Sequence, residues 1–209
     1  MEKDQIKPKI EDALSKRTER KFKQSVEVIF NFSDVNVEGE HKLNLNVQLP
    51  RGRGKDVEVG VFADGDMNVR AKKVSKHVLS KSELEEYAKD KREMRKFAGR
   101  CYSFIAQPDL MATIGKSWGI VLGPRGKMPQ PVPPNANIDD AMEKVKNTVR
   151  VKTKKMPNVQ VPVGTEDMTP DDLAENIMAV YTAVERVIHV DHISSVYVKT
   201  TMGEAVQIW

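Results

Sequence analysis

Residues 25–32 read SVEVIFNF, and apolar and polar positions alternate along them. Val26, Val28, Phe30 and Phe32 fall on one side, and Ser25, Glu27, Ile29 and Asn31 on the other. That period predicts a strand with one face on a core and one wettable face. After a turn at Glu38-Gly39-Glu40, HKLNLNVQLP repeats the pattern. Leu43, Leu45, Val47 and Leu49 oppose Lys42, Asn44, Asn46 and Gln48, and Pro50-Arg51-Gly52-Arg53-Gly54-Lys55 stops the strand. Near the end of the chain, SSVYVKT sets Val196 and Val198 against Ser195, Tyr197, Lys199 and Thr201. Met202-Gly203 then predicts a turn into a last strand, EAVQIW.

Helical spacing appears elsewhere. Ile6, Ile10, Ala13 and Leu14 predict a helix over 4–19, with Pro8 tolerated in its first turn. Ser82 with Glu85 reads as a capping box opening a helix that carries Leu84, Tyr87, Met94 and Phe97 and stops at Gly99. Further helices are expected from Pro108 to Lys116, and from Asp139-Asp140 through Met142, Val145 and Val149. Thr169 as cap, Pro170 at the first position and Asp171-Asp172 in the first turn open another. Its core stripe is Leu173, Ile177, Val180, Val184 and Val187.

VEVGVFA (57–63) and SFIA (103–106) are short apolar strands among these central helices, a pattern that predicts parallel pairing. The two ends of the chain carry the antiparallel pattern instead. LPRGRGK and KTKKMPN, both with Pro and basic residues, mark the joins. The predicted fold class is therefore α/β with two domains. Residues 1–51 and 156–209 form a discontinuous α+β domain, and 52–155 form an inserted α/β domain, with linkers that permit hinge motion.

Composition narrows the function classes. The chain has 209 residues and a formal charge of +4, a modest excess that suits a polyanionic partner without requiring one. Cys101 is the one cysteine, which excludes an internal disulfide and fits a reducing compartment. The opening MEKDQIKPKIEDAL lacks the apolar core of a signal peptide, and no apolar run is long enough to span a bilayer. A soluble, cytoplasmic protein is expected.

The polar strand faces are the main candidate for chemistry. Ser25, Glu27, Lys42, Asn44, Asn46, Gln48, Ser195, Tyr197, Lys199 and Thr201 make either a solvated sheet face or an RNA surface. Hydroxyls, amides and a carboxylate suit 2′-hydroxyls and base edges, and Lys16, Arg17, Arg20, Lys21 and Lys23 suit phosphates. Phe22 reads as a core staple or as a stacking platform for a base or ribose.

The other motifs read as structural. GIVLGPRGKMPQPVPPN contains Gly126-Lys127, but Val121 stands where a phosphate loop needs Gly and Met128 where it needs Ser or Thr. The stretch reads as a rigid basic turn from which Arg125 and Lys127 could touch nucleic acid. His189 and His192 lack companion ligands and read as residues of a helix end. Lys89–Lys96 mixes signs and reads as a solvated helix face. No catalytic constellation, cofactor site or metal site is expected, and Cys101 reads as a small buried residue.

Taken together, KFKQSVEV (21–28), GPRGKMPQP (123–131) and SVYVKTTMG (195–203) closely resemble the universal large-subunit ribosomal protein one family, in its archaeal form. The resemblance implies a split α+β domain, of split βαβ type, that carries the RNA site. It implies an inserted Rossmann-like three-layer domain that binds no dinucleotide. The implied partner is the side-stalk junction of large-subunit rRNA. The family also implies release of exit-site tRNA, repression through the leader of its own mRNA, a location on the ribosome, and a monomer off it. An RNA-binding repressor acting mainly off the ribosome is the second reading. Carried over by position, the RNA-contacting residues are Lys21, Phe22, Ser25, Glu27, Ser195, Thr201, Met202 and Gly203. Met202 offers an adaptable apolar surface, and Gly203 is read as letting backbone approach a ligand. Glu204 departs from the Pro found in many members and is held outside the site.

Overall fold

The computed structural model describes residues 3–209. Met1 and Glu2, which open the segment read for a leader and for the first domain, lie outside the described residues. The chain begins with α1 (Lys3–Ser15), β1 (Ser25–Phe32), β2 (Asn44–Gln48), β3 (Val59–Phe62) and α2 (Gly65–Val74). It continues through β4 (Val78–Leu79), α3 (Lys81–Ala88), α4 (Lys91–Arg100), β5 (Ser103–Ala106), α5 (Met111–Ser117) and α6 (Gly119–Arg125). It ends with β6 (Gln130–Pro131), α7 (Ile138–Lys146), β7 (Thr148–Lys152), β8 (Asn158–Thr165), α8 (Pro170–Glu185), β9 (Ile193–Thr200) and β10 (Val206–Gln207). The fold is mixed α/β and divides into two compact units. One comprises the residues up to Lys55 and Asn147–Trp209, the other Asp56–Lys146.

The joins differ from the sequence boundaries of 51/52 and 155/156. TVRVK of β7 pairs antiparallel with NLNVQ of β2, from Asn44 opposite Lys152 to Gln48 opposite Thr148. Val149 and Val151 are fully buried in the core of the terminal unit. Val149 was expected on the preceding helix; its β-branched neighbours and their period of two put it on a strand.

In the terminal unit a four-stranded antiparallel sheet runs β10-β9-β1-β8. Val26, Val28 and Phe30 lie opposite Thr200, Val198 and Val196, and all six are buried. Ile6 and Ile10 of α1, and Leu173, Ile177, Val180 and Val184 of α8, complete this core. The outer face keeps the alternation: Glu27 opposite Lys199, Ile29 opposite Tyr197, and Asn31 opposite Ser195. α1 stops at Ser15 rather than reaching residue 19, because residues 15–23 are all exposed and offer no apolar side to bury.

β2 belongs to a separate two-stranded sheet with β7. Lys42, Asn44, Asn46 and Gln48 therefore do not extend the outer face of β1 and β9, as the shared alternation suggested. Period sets which side a residue takes, and pairing decides which sheet it joins.

The second unit has a parallel sheet in the order β4-β3-β5-β6. Val59, Val61 and Ile105 face α2 and α7, with Met67, Ala71, Met142 and Val145. Phe62, Phe104 and Ala106 face the other way, with Met94, Phe97, Ile114, Trp118 and Leu122. The result is three layers. α2 lacks an obvious stripe and was not foreseen; Asp64 caps it by accepting from the Gly65 amide at 3.0 Å.

The helix expected over 82–99 is two. Ser80, not Ser82, caps α3, and its box partner is Glu83, whose carboxylate takes the Ser80 amide at 2.7 Å. Asp90 then caps α4 through the Arg92 and Glu93 amides. The stretch read as a rigid turn contains α6, closed by Gly126 at φ 66°. Its cations turn inward onto α4: Arg125 donates to the Arg95 carbonyl at 2.9 Å, and Lys127 to the Ala98 carbonyl at 2.9 Å and to that of Cys101. Burial, and then Arg125, lower the Lys127 pKa. GPRGK thus caps the C-terminal end of a helix, where cations are favoured. α8 ends at Glu185, so His189 and His192 sit on the turn after it rather than on the helix.

Candidate functional site

Three stretches of the terminal unit meet at one end of the antiparallel sheet. Gln24, fully buried, joins them. Its side-chain amide donates to the Thr18 carbonyl at 2.7 Å and its side-chain oxygen accepts from the Met202 amide at 3.0 Å. Its backbone amide donates to Glu166 Oε1 at 2.9 Å, and its carbonyl accepts from the Glu166 amide at 3.1 Å. The 16–24 loop, the 201–204 turn and the turn after β8 are thereby locked together.

Beside Gln24, Thr201 closes β9 onto β1. Its hydroxyl accepts from the Ser25 amide at 3.1 Å and donates to the Ser25 carbonyl at 3.2 Å, and its own amide donates to that carbonyl at 3.0 Å. A bulge in β8 against Val26 and Glu27 lies at the same end of the sheet. Bulges sharpen twist and re-aim side chains.

This end collects Lys21, Phe22, Ser25, Glu27, Thr201, Met202 and Gly203 from the predicted set. Phe22 is 52% exposed and Met202 51% exposed, so both are apolar side chains held in water. Phe22 is not the core staple that its apolar character allowed. Ser195 is apart from the others. It lies opposite Asn31, accepts from the Asn31 side-chain amide at 3.0 Å, and stands six residues from Thr201 along the chain, roughly 20 Å at strand rise. Gly203 has a packing reason of its own. A Cβ there would overlap the Thr200 hydroxyl, so the missing side chain makes room for the protein's own buried threonine.

The cations separate into two groups. Lys16 is tied to Asp12 at 2.8 Å, which raises its pKa, and Lys23 to Asp167 at 2.8 Å and the Gly54 carbonyl at 3.1 Å. Arg17 lies 4.0 Å from Glu166. Arg20 and Lys21 have no ion pair among the described residues and are exposed. Glu27 and Lys199 are neighbours in register, half-buried, and not bonded to each other. The end of the sheet thus offers an aromatic face, a thioether, hydroxyls, a free carboxylate acceptor and free cations. Those groups can stack on a base, accept from an amino group or 2′-OH, and neutralise phosphate. Gln24 and Glu166 were not singled out from sequence. Gln24 lies inside KFKQSVEV, but no period distinguishes a buried amide hub from a polar strand lead-in.

Residues 14–204 match the model of the "Ribosomal protein L1p/L10e family". The chain belongs to this family. The matched span includes most of both units, in agreement with the resemblance carried by KFKQSVEV, GPRGKMPQP and SVYVKTTMG. L1p/L10e proteins are ribosomal proteins, structural rather than catalytic. Among curated relatives, the large ribosomal subunit protein uL1 of Pyrococcus horikoshii is 46% identical over 203 residues, covering 95% of this chain and 93% of the relative. That of Methanobrevibacter smithii is 42% identical over 205 residues, covering 95% and 96%. That of Aeropyrum pernix is 40% identical over 213 residues, covering 100% and 98%. Two absences accompany the L1p/L10e match: no helix is long and apolar enough to cross a membrane, and no group of His, Cys, Asp and Glu side chains could hold a metal ion among the described residues.

Proposed function

We propose that this chain is a constituent of the large ribosomal subunit that binds the side-stalk junction of large-subunit rRNA through the Gln24 end of its terminal unit. The observation that carries the reading is the convergence there of exposed Phe22 and Met202 with Ser25, Glu27, Lys21 and Thr201, where buried Gln24 holds the Met202 amide and the Thr201 hydroxyl holds Ser25. Rigid polar backbone and apolar platforms lower the ordering cost of recognition. Glu27 acts as an acceptor that selects base amino groups or 2′-hydroxyls and repels misplaced phosphate. Ser195 contacts RNA only if the bound junction extends along the outer face toward Asn31. The discontinuous unit is the RNA-binding domain in this proposal, and the ribosome is the place of action.

The family resemblance extends the proposal to release of exit-site tRNA and to repression through the chain's own mRNA leader, which would use the same surface. The test is binding of the full chain to a stalk-junction rRNA fragment in moderate salt, with unrelated folded RNA as competitor. Selective retention of the stalk fragment supports the reading, and equal displacement by unrelated RNA contradicts it. A parallel titration with the mRNA leader tests the regulatory extension.

A further inference from the structure

From the outer face of α4 we infer a second RNA surface, one that holds the phosphate backbone of double-helical RNA and lies wholly within Asp56–Lys146. RNA as the polyanion rests on the function proposed above; the surface itself is independent of the Gln24 end.

α4 reads KREMRKFAGR, with Met94, Phe97 and Ala98 buried. At about 100° per residue, Lys91, Arg95, Gly99, Arg92, Lys96 and Arg100 follow one another around an arc of about 180°. All six are exposed. The helix's cap residue and its own acid are occupied: Asp90 caps the helix through two amides, and Glu93 is half-buried and holds Lys96 at 2.6 Å. Lys91, Arg92 and Arg100 have no ion pair or side-chain hydrogen bond among the described residues. Five cations against one acid give this ten-residue helix a charge of +4, equal to the formal charge of the whole chain. The mixed signs seen in sequence thus resolve into a face of one sign.

Two further observations favour a phosphate ligand. Gly99 sits mid-arc, and a Cβ there would meet nothing within 4 Å, so packing does not require the glycine. A small residue among long cations leaves a recess into which a phosphate ridge can settle. The negative pole of the helix is also covered, because Lys127 donates to the Ala98 and Cys101 carbonyls at its C-terminal end. The face has no apolar side chain, which argues against a membrane surface, and no aromatic anchor, which argues against a protein partner.

The test uses the full chain and an RNA duplex of about 20 base pairs unrelated to the stalk, titrated from about 50 to 300 mM salt. Arg92→Gln/Arg95→Gln is expected to bind at least about tenfold more weakly at low salt, with a log–log salt slope shallower by about two, since each lost phosphate contact removes about one. Gly99→Leu is expected to weaken binding while raising the melting temperature, which separates binding from folding. Lys72→Gln/Lys73→Gln, which removes two exposed cations of α2 in the same unit, is expected to bind the duplex like the parent, and the stalk-fragment titration reads the Gln24 end by itself, so the two surfaces can fail separately. Unchanged affinity and slope in Arg92→Gln/Arg95→Gln, or equally tight binding of poly-glutamate, would overturn the inference.

Discussion

The Thr201 hydroxyl holds both backbone groups of Ser25, accepting from its amide at 3.1 Å and donating to its carbonyl at 3.2 Å, across 176 positions of sequence. One side chain thus fastens the last long strand to the first. Thr201→Val keeps the shape and removes both bonds, while the backbone bond from the Thr201 amide remains. Denaturant unfolding should show a loss of about 1–2 kcal/mol, and affinity for the stalk fragment should fall with it. A variant as stable as the parent would show that the hydroxyl is not holding the strands.

Thr200 and Gly203 make a second pair at the same turn. The Thr200 hydroxyl is buried without a hydrogen-bond partner among the described residues, and a Cβ at position 203 would overlap it. Gly203→Ala alone should destabilise by about 1–3 kcal/mol through overpacking. In Thr200→Ala/Gly203→Ala the clash disappears and most of that loss should be recovered. Additive losses in the double-mutant cycle would show that the glycine serves something other than this contact.

Cys101 reports on the second unit. Burial pushes its thiol up to about 11, with Glu58 adding to the shift and Lys127 opposing it. Labelling with a thiol reagent near neutral pH should be very slow in the native chain and should accelerate with denaturant as this unit opens. Rapid labelling without denaturant would contradict the burial.

Glu175 should set part of the acid behaviour. Hydrogen bonds from Arg51 and then Lys3 hold its carboxyl at about 2, below the ordinary 4.5. A depressed carboxylate contributes stability above its unfolded pKa and loses it as pH falls through the folded one. The loss therefore falls between about pH 5 and 2. Carboxyl titration by NMR should give a midpoint near 2, rising toward the ordinary range in Arg51→Gln. An unmoved midpoint would exclude Arg51 as the cause.

Much of this was legible in the sequence because period two and period 3.6 report burial directly. The outer positions Ser25, Glu27, Tyr197 and Lys199 follow the strand alternation. Sheet membership was not legible: Asn44 and Asn46 have the same alternation as Glu27 but pair with β7. The limits of α1 were missed because KRTER has helix propensity but nothing to bury. Arg125 and Lys127 looked like phosphate ligands because sequence gives charge but not direction; tertiary packing turned them onto α4. Gln24 was hidden for the same reason, since its partners Thr18, Glu166 and Met202 come from three separate stretches.

The most direct test of the proposed RNA site is the affinity of Met202→Asp and Phe22→Ala for the stalk-junction fragment at one fixed salt concentration, with melting curves measured alongside. Both side chains are about half exposed, so neither change should move the melting temperature appreciably. Loss of a stacking platform is worth about 1–3 kcal/mol, so Phe22→Ala should bind about ten- to a hundredfold more weakly, and Met202→Asp, which adds a repelling charge, at least as weakly. Parent-like affinity in both variants would place the RNA site elsewhere.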